Sequence, residues 1–150
     1  MGKTEIRSAK LSKPLGVFSQ AIKVAGQGSF VFVSGLTSRA PDGSVVGAGD
    51  ITVQTETILK NMQAVLAEAG GGLEDVVKVI VYIRDMNQFK EIHEVRRRYF
   101  KEPYPASTMV EVSRLVSPEH LIEIEATAFI PAKRAAAGKS RRPASARRRR

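Results

Sequence analysis

The chain has 150 residues, 43% of them hydrophobic, which is the size of one ordinary domain with a single core. Nine of its 24 Lys and Arg residues and none of its 15 acids lie in residues 133–150, so residues 1–132 carry fifteen of each sign and the net charge of +9 belongs to the end of the chain. The absence of cysteine excludes disulfides, thiol nucleophiles and thiolate metal sites.

Two short strands open the predicted fold, at residues 20–24 and 30–34. Residues 25–29 between them contain two glycines, which allow a hairpin turn. Residues 39–43 read Arg-Ala-Pro-Asp-Gly and predict a further turn, because proline presets one backbone dihedral and glycine supplies a positive one. A loop follows to about Asp50.

A helix is predicted over residues 52–69, where apolar side chains recur at helical spacing. Asp50 or Thr52 is the expected N-cap, and Gly70 suits the end of the helix. Residues 76–83 are so rich in β-branched side chains that they predict a central strand covered on both faces, or nearly so.

The second predicted helix covers about residues 88–101, with Asn87 or Asp85 as its cap. The arginines at 96–98 are expected mostly on the outside. Its inner face should carry five apolar or aromatic residues: Phe89, Ile92, Val95, Tyr99 and Phe100.

Two more strands, at residues 105–115 and 121–129, follow the prolines that end the second helix. In the last strand Glu123 and Glu125 alternate with Ile122 and Ile124, so the glutamates share one face. The order β-β-α-β-α-β-β predicts an α+β domain with two helices on one face of a mixed sheet. The second face of that sheet needs a further cover.

Residues 132–150 contain no apolar side chain larger than that of a single proline, and we interpret them as a disordered basic tail after a single domain at 1–131. The tail could dock on RNA, DNA or an acidic partner, but its composition favours a solvated segment with no selected role. His93 and His120 show no metal-ligand spacing, so neither a metal nor a cofactor is expected. With no membrane-spanning run and no signal segment, a cytoplasmic location is the expectation.

Four segments in order resemble the YjgF/Rid family of enamine and imine deaminases over about residues 14–130. The resemblance implies a chorismate-mutase-like domain, a homotrimer with a barrel-like core, and clefts between subunits that take a small-molecule substrate. The segments are Lys-Pro-Leu-Gly-Val-Phe-Ser-Gln-Ala at 13–21, Phe-Val-Phe-Val-Ser-Gly at 30–35, Tyr-Ile-Arg-Asp-Met-Asn-Gln-Phe at 82–89, and the two strands after residue 105.

The resemblance also implies roles for individual residues. Glu123 matches the glutamate that orients water, although a strand glutamate is otherwise expected to pair with a nearby Lys or Arg. Glu125, on the same face, could support or replace it. The resemblance further assigns four positions to the cleft, each with an ordinary structural explanation as well: Phe18, where many members have tyrosine, Ser34, Gly35 and Asn87.

Ser107 is the departure from the family pattern, because active deaminases of the family have an arginine there that clamps the substrate carboxylate. Losing such a partner costs about 2–5 kcal/mol. Another cation could substitute, with Arg39 the first candidate; the substrate could lack a carboxylate at that end; or catalysis could be lost. Loop features at residues 38–48 and 116–121 resemble the aminomuconate deaminase branch, which indicates a longer, unsaturated substrate.

Three functional hypotheses follow. The first is hydrolytic deamination of a small enamine or imine, with Glu123 as the central residue. The second is a non-catalytic metabolite-binding or regulatory trimer, which Ser107 motivates. The third is RNA binding or cleavage, a label attached to the family, for which the sequence offers no histidine pair, metal cluster or aromatic stacking platform.

Overall fold

A four-stranded mixed sheet forms the centre of the structure, a computed structural model that describes residues 2–132. The strand order is β3-β6-β4-β5, with β4 and β5 parallel and the other two pairs antiparallel. The strands are β3 (Gly28–Leu36), β4 (Val76–Ile83), β5 (Ala106–Glu111) and β6 (Ile122–Pro131). The predicted central strand is therefore β4, together with β6.

Two helices pack on one face of this sheet, as the sequence predicted: α1 (Ile51–Glu68) and α2 (Phe89–Tyr99). Asp50 caps α1 by accepting a hydrogen bond from the Val53 amide at 3.0 Å, and Gly70 follows the helix with a φ of +82°. A 3-10 turn, Met86–Gln88, leads into α2, and Asp85 caps this turn by accepting from the Asn87 amide. The helix itself begins after Gln88 without a side-chain cap bond, so neither Asn87 nor Asp85 caps α2 directly.

The core lies between the helices and the inner face of the sheet. Fully buried residues of α1, α2 and the two central strands contact one another there, among them Ile58, Leu59, Met62, Leu66, Val81, Ile92, Ile122 and Ile124. Truncating one such leucine or isoleucine to alanine typically costs about 2–5 kcal/mol. The alternation predicted for β6 is confirmed, because its isoleucines and alanines are buried while Glu123, Glu125 and Thr127 are half-buried on the other face.

The strand pairing differs from the sequence prediction in two places. A strand missed by the sequence, β1 (Lys3–Ile6), pairs with β2 (Ala21–Val24) in a separate two-stranded sheet, whereas β3 pairs with β6. The glycine-rich link therefore joins two sheets and does not close a hairpin. In addition, β5 ends at Glu111, whereas the strand was predicted to reach residue 115, and it pairs with β4 and not with β6, the next strand along the chain.

The outer face of the sheet, opposite the helices, is open in the described chain. Phe30 and Phe32 of β3 are 52% and 78% exposed, and Val110 of β5 is 39% exposed. Ile80 and Tyr82 of β4 are only half-buried, so the expectation of a central strand covered on both faces holds for its inner face alone. This is the face that the sequence predicted to need a further cover.

Within residues 2–132 no helix is both long and apolar enough to cross a membrane. The predicted basic tail, apart from Ala132, lies outside the described residues.

Candidate functional site

The two strand glutamates lie on the outer face beside a tyrosine of the neighbouring strand. In the register of β4 and β6, Tyr82 is opposite Glu123 and Ile80 is opposite Glu125. Partial burial and the carboxylates of Glu125 and Glu123 together raise the pKa of the Tyr82 phenol. This group of Glu123, Glu125 and Tyr82, together with the bulge described next, is called the acidic cluster below.

A β-bulge in β3 completes the acidic cluster. Between the pairs Val33–Ala126 and Leu36–Ile124, the two residues Ser34 and Gly35 of β3 stand opposite the single residue Glu125. A bulge of this kind re-aims side chains, and bulges recur next to functional sites. Sequence reasoning did not predict it, although a glycine inside a strand is a known signal for one.

Gly35 lies directly against the Glu123 carboxylate. A Cβ atom on Gly35 would overlap the Glu123 carboxylate, and the neighbouring carbons of that side chain would also be crowded. Only glycine leaves this space free. The structure therefore brings together Glu123 and Gly35, two positions that the sequence had proposed separately.

His120 is a neighbour of the acidic cluster that sequence reasoning did not assign to the site. Its side chain is fully buried, and neither ring nitrogen has a hydrogen-bond partner among residues 2–132. Burial lowers its pKa; the charge of Arg39 acts in the same direction, while those of Glu119 and Glu123 oppose it. The only signal in the sequence was its position three residues before Glu123.

Glu123 forms no ion pair with any residue in the described part of the chain. The expectation that an ordinary strand glutamate would be neutralised by a nearby Lys or Arg is therefore not met. Arg39 is exposed, and its Nη1 donates to the Gly43 carbonyl oxygen at 2.8 Å, which holds the predicted turn. A half-buried carboxylate without a cation remains available to accept a proton or to orient water.

Ser107 contacts Arg96 of α2, and not Arg39, which was the first candidate from the sequence. The Nη2 of Arg96, on α2, donates to the Ser107 Oγ at 2.9 Å and to the Val17 carbonyl oxygen at 3.2 Å. Arg96 is only 1% exposed, which corrects the prediction that residues 96–98 lie mostly outside. Arg97 and Arg98 are exposed, whereas Arg96 follows His93 by three residues on the buried face of the helix.

A second buried contact joins α2 to the N-terminal segment. The Val17 amide donates to Nδ1 of His93 at 3.0 Å, and a Cβ on Gly16 would overlap the same imidazole ring. Burial, reinforced by the charges of Arg96 and Arg97, lowers the pKa of His93 to about 4, which keeps Nδ1 free to accept that bond. Arg96, Ser107, His93 and Val17 are called the arginine cluster below.

Phe18 follows Val17 and lines a groove of about 620 Å³ at the surface. The groove is also lined by Gly16, Ser19 and Tyr104, and the Ser19 hydroxyl donates to the Tyr104 carbonyl oxygen at 2.6 Å. Phe18 is half-buried and so combines a packing role with an accessible ring, as the sequence had left open.

Asn87 is exposed, and its side-chain amide donates to the Asp85 carboxylate at 2.9 Å. It lies in the turn before α2 and contacts neither cluster among the hydrogen bonds of residues 2–132. Within one chain, its position is explained by the hydrogen bonds that it donates to Asp85 in the turn before α2.

The acidic and arginine clusters lie on opposite faces of the sheet. Glu123 is opposite Tyr82 on β4, while Ser107 is opposite Val79, three residues earlier on the same strand. Because side chains alternate along a strand, positions three apart point to opposite faces. One chain therefore does not bring Glu123 and Ser107 into a common cleft. Residues 2–132 also contain no group of His, Asp or Glu arranged to hold a metal ion.

Comparison with known proteins is decisive for the family. The family model described as Endoribonuclease L-PSP matches residues 9–130, which include both clusters. The chain belongs to the YjgF/Rid family. A RutC family protein of Pyrococcus abyssi is 46% identical over 129 residues, covering 86% of this chain and 98% of that protein.

Solved Rid structures agree with this membership. The Rid family protein YyfB from Yersinia pestis superposes with a TM-score of 0.79 at 28% identity, covering 87% of this chain and all of that one. RidA from an Antarctic Psychrobacter superposes with a TM-score of 0.64 at 32% identity, covering 85% and 99%. The Rid family is known broadly for imine and enamine deaminases and for endoribonuclease-like proteins.

Proposed function

We propose that this Rid protein hydrolyses a small enamine or imine and releases ammonia. The observation that carries the proposal is Glu123, a half-buried carboxylate without an ion-pair partner in residues 2–132, set against a glycine in a β-bulge. Such a group can position a water molecule and exchange protons with it.

The chemistry needs no covalent intermediate and no cofactor. An enamine first takes a proton on carbon and gives up a proton from nitrogen, which makes it the imine. Water, oriented by Glu123, then adds to the carbon of the C=N bond, and the nitrogen takes a proton. The hydroxyl proton of the resulting tetrahedral adduct then passes to the nitrogen as the C–N bond breaks, which yields the carbonyl product: one imine and one water give one carbonyl compound and one ammonia.

The active assembly in this proposal is a homotrimer. Its support is the open outer face with exposed Phe30 and Phe32, and the placement of the two clusters on opposite faces of one sheet. A second copy covering the outer face would bury the aromatics and wall in Glu123. Light scattering at micromolar concentration is expected to give the mass of three chains, and a monomer would contradict the proposal.

The substrate is proposed to belong to the aminomuconate-like class, with iminopropionate as the alternative. The test is ammonia release from each compound, measured with a coupled enzyme, in wild type and in Glu123→Ala. We expect turnover of at least one compound and a drop on the order of 10²–10⁴ in the variant. No turnover of either substrate, with Glu123→Ala indistinguishable from wild type, would defeat the proposal.

A non-catalytic binding or regulatory trimer is the second candidate, and Ser107 is the observation that favours it. In that case the wild type binds a metabolite without turnover, and Ser107→Arg gains activity from an inactive parent. Robust native turnover would rule it out.

A further inference from the structure

Arg96 is a buried cation whose hydrogen bonds are incomplete. Its Nε and Nη1 atoms have no partner among residues 2–132, and no carboxylate of that range lies within ion-pair distance. Burial lowers its pKa to about 10, so the guanidinium is still protonated at neutral pH. The ring of Phe100, 5.9 Å from the guanidinium carbon, gives only a weak interaction.

Buried charges in proteins are normally paired, because an ion removed from water without a counter-charge is strongly unfavourable. The core beside Arg96 offers carbonyl and hydroxyl oxygens but no anion. A helix built only for stability would place one of its many apolar alternatives at this position. The unpaired charge can therefore be balanced by an anion that is supplied from outside the described chain.

The route from Arg96 to a ligand runs through Ser107. The serine oxygen accepts its hydrogen bond from the guanidinium, which leaves the hydroxyl proton free to be donated elsewhere. Ser107 is half-buried on the edge strand β5, whereas Arg96 is 1% exposed. A hydroxyl that accepts from a cation is also a stronger donor than a free one.

We propose that Arg96 and Ser107 together form the anchor for a carboxylate of the substrate, with Ser107 as the contacting donor and Arg96 as the positioning residue behind it. The positive charge lies on the helix and the contacting donor lies on the strand. This inference rests on the proposed function for its substrate class, and it singles out Arg96 in place of Arg39, whose guanidinium holds the 39–43 turn.

Pyruvate binding tests the anchor without requiring turnover. Its affinity is measured by NMR titration of the full chain, with methyl pyruvate as the neutral counterpart. Removing a charge-assisted interaction is worth roughly a 10- to 100-fold loss, so Arg96→Gln should weaken pyruvate binding by about that factor and change methyl pyruvate binding by less than about twofold. Arg97→Gln, which removes an exposed neighbouring charge, is the matched control and should leave both affinities unchanged.

Relocating the charge provides the rescue. The double variant Arg96→Gln, Ser107→Arg returns a cation to the strand and should recover pyruvate affinity to within a few-fold of wild type. Ser107→Arg alone places two guanidiniums side by side, and like charges repel, so we expect that single variant to bind less well than the double variant. Ser107→Ala should lose pyruvate affinity while keeping the Arg96 charge.

Two results would overturn the anchor. If Arg96→Gln lowers the melting temperature but leaves pyruvate affinity unchanged, Arg96 serves only to hold Val17 and the α2 contact. If the double variant folds and its pyruvate affinity does not recover, pyruvate does not bind through this positive charge. Failure of the proposed deamination would look different, because the wild type would then release no ammonia while Arg96→Gln still weakened pyruvate binding.

Discussion

The acidic cluster and the arginine cluster are built by different means. The first depends on an irregularity of the backbone: a bulge in β3 brings Gly35 against Glu123 on the outer face. The second depends on the packing of a helix, because α2 carries Arg96 and His93 into the interior, where they hold Ser107 and Val17. The sheet separates the two clusters, and we therefore propose that the acid and the anion anchor of one cleft come from two copies of the chain.

Charging the outer face should have the largest effect. Phe32→Lys puts a cation in the middle of the face that a second copy would cover, so we expect monomers by light scattering and loss of ammonia release. Circular dichroism should remain unchanged because Phe32 is 78% exposed in the single chain. Lys23→Glu, on the separate two-stranded sheet, is the control for a charge change on the surface. A fully active monomeric Phe32→Lys would show that one chain completes the site.

Mixing two impaired variants, assayed at a substrate concentration where each alone has little activity, tests whether the clusters of one site come from different chains. Trimers that combine Glu123→Ala and Arg96→Gln subunits contain some interfaces with both native residues. If each cleft takes its acid from one chain and its anchor from the next, about a quarter of wild-type activity should return in a random equal mixture. Unmixed variants treated in the same way are the controls. No recovery in mixtures shown by mass spectrometry to be mixed trimers would place both clusters of a site in one chain.

Gly35→Ala tests whether the position of the Glu123 carboxylate in the acidic cluster matters for the rate. The added methyl group would overlap the Glu123 carboxylate and displace it, and a misplacement of about 1 Å costs on the order of 10²-fold in rate. We expect kcat to fall by that order, with pyruvate affinity unchanged because the arginine cluster is untouched. Gly2→Ala, at a glycine with open space around it, is the matched control. Unchanged kcat in Gly35→Ala would argue against Glu123 as the proton-transfer group.

The arginine cluster should show an acid dependence through His93. Its pKa is about 4 in the folded chain, whereas an unperturbed histidine has a pKa of 6.5, so the unfolded chain takes up a proton first. This contribution is constant above about pH 6.5, and stability is lost as the pH falls from there towards 4. Urea unfolding at pH 7 and pH 5 should show the decrease, and His93→Gln should show less of it. His120, whose pKa is also lowered, contributes in the same direction and is controlled with His120→Gln. An equal decrease in all three proteins would assign the loss to carboxylates.

The smallest expected effect concerns Tyr82 on the acidic side. Ultraviolet titration of tyrosinate should give a lower pKa for Tyr82 in Glu125→Gln than in wild type, because one of the carboxylates that raise it is removed. Tyr82→Phe identifies the signal. Tyr99, whose pKa is raised by burial and by Glu56, should not respond to the change. An unchanged pKa of Tyr82 in Glu125→Gln would show that the Glu125 carboxylate does not interact with the phenol.

Much of the fold followed from local patterns. The alternation of β6, the Asp50 cap, the end of α1 at Gly70 and the two helices on one face were all predicted and are confirmed. What the patterns missed was pairing between distant segments. β1 is only four residues long, and nothing in its composition says that it pairs with β2, so the glycines after β2 were interpreted as a hairpin.

The candidate site was also predictable only in part from the sequence. Residue types and the family resemblance determined that Glu123, Gly35 and Ser107 deserve a role, because an alternating strand already places the glutamates on one face. Only the tertiary structure decided that Gly35 touches Glu123, that Arg96 and not its two neighbours is buried, and that its charge meets Ser107. The physical reason is that periodicity is a property of one segment, whereas a bulge register and a helix-to-strand hydrogen bond depend on how separate segments pack.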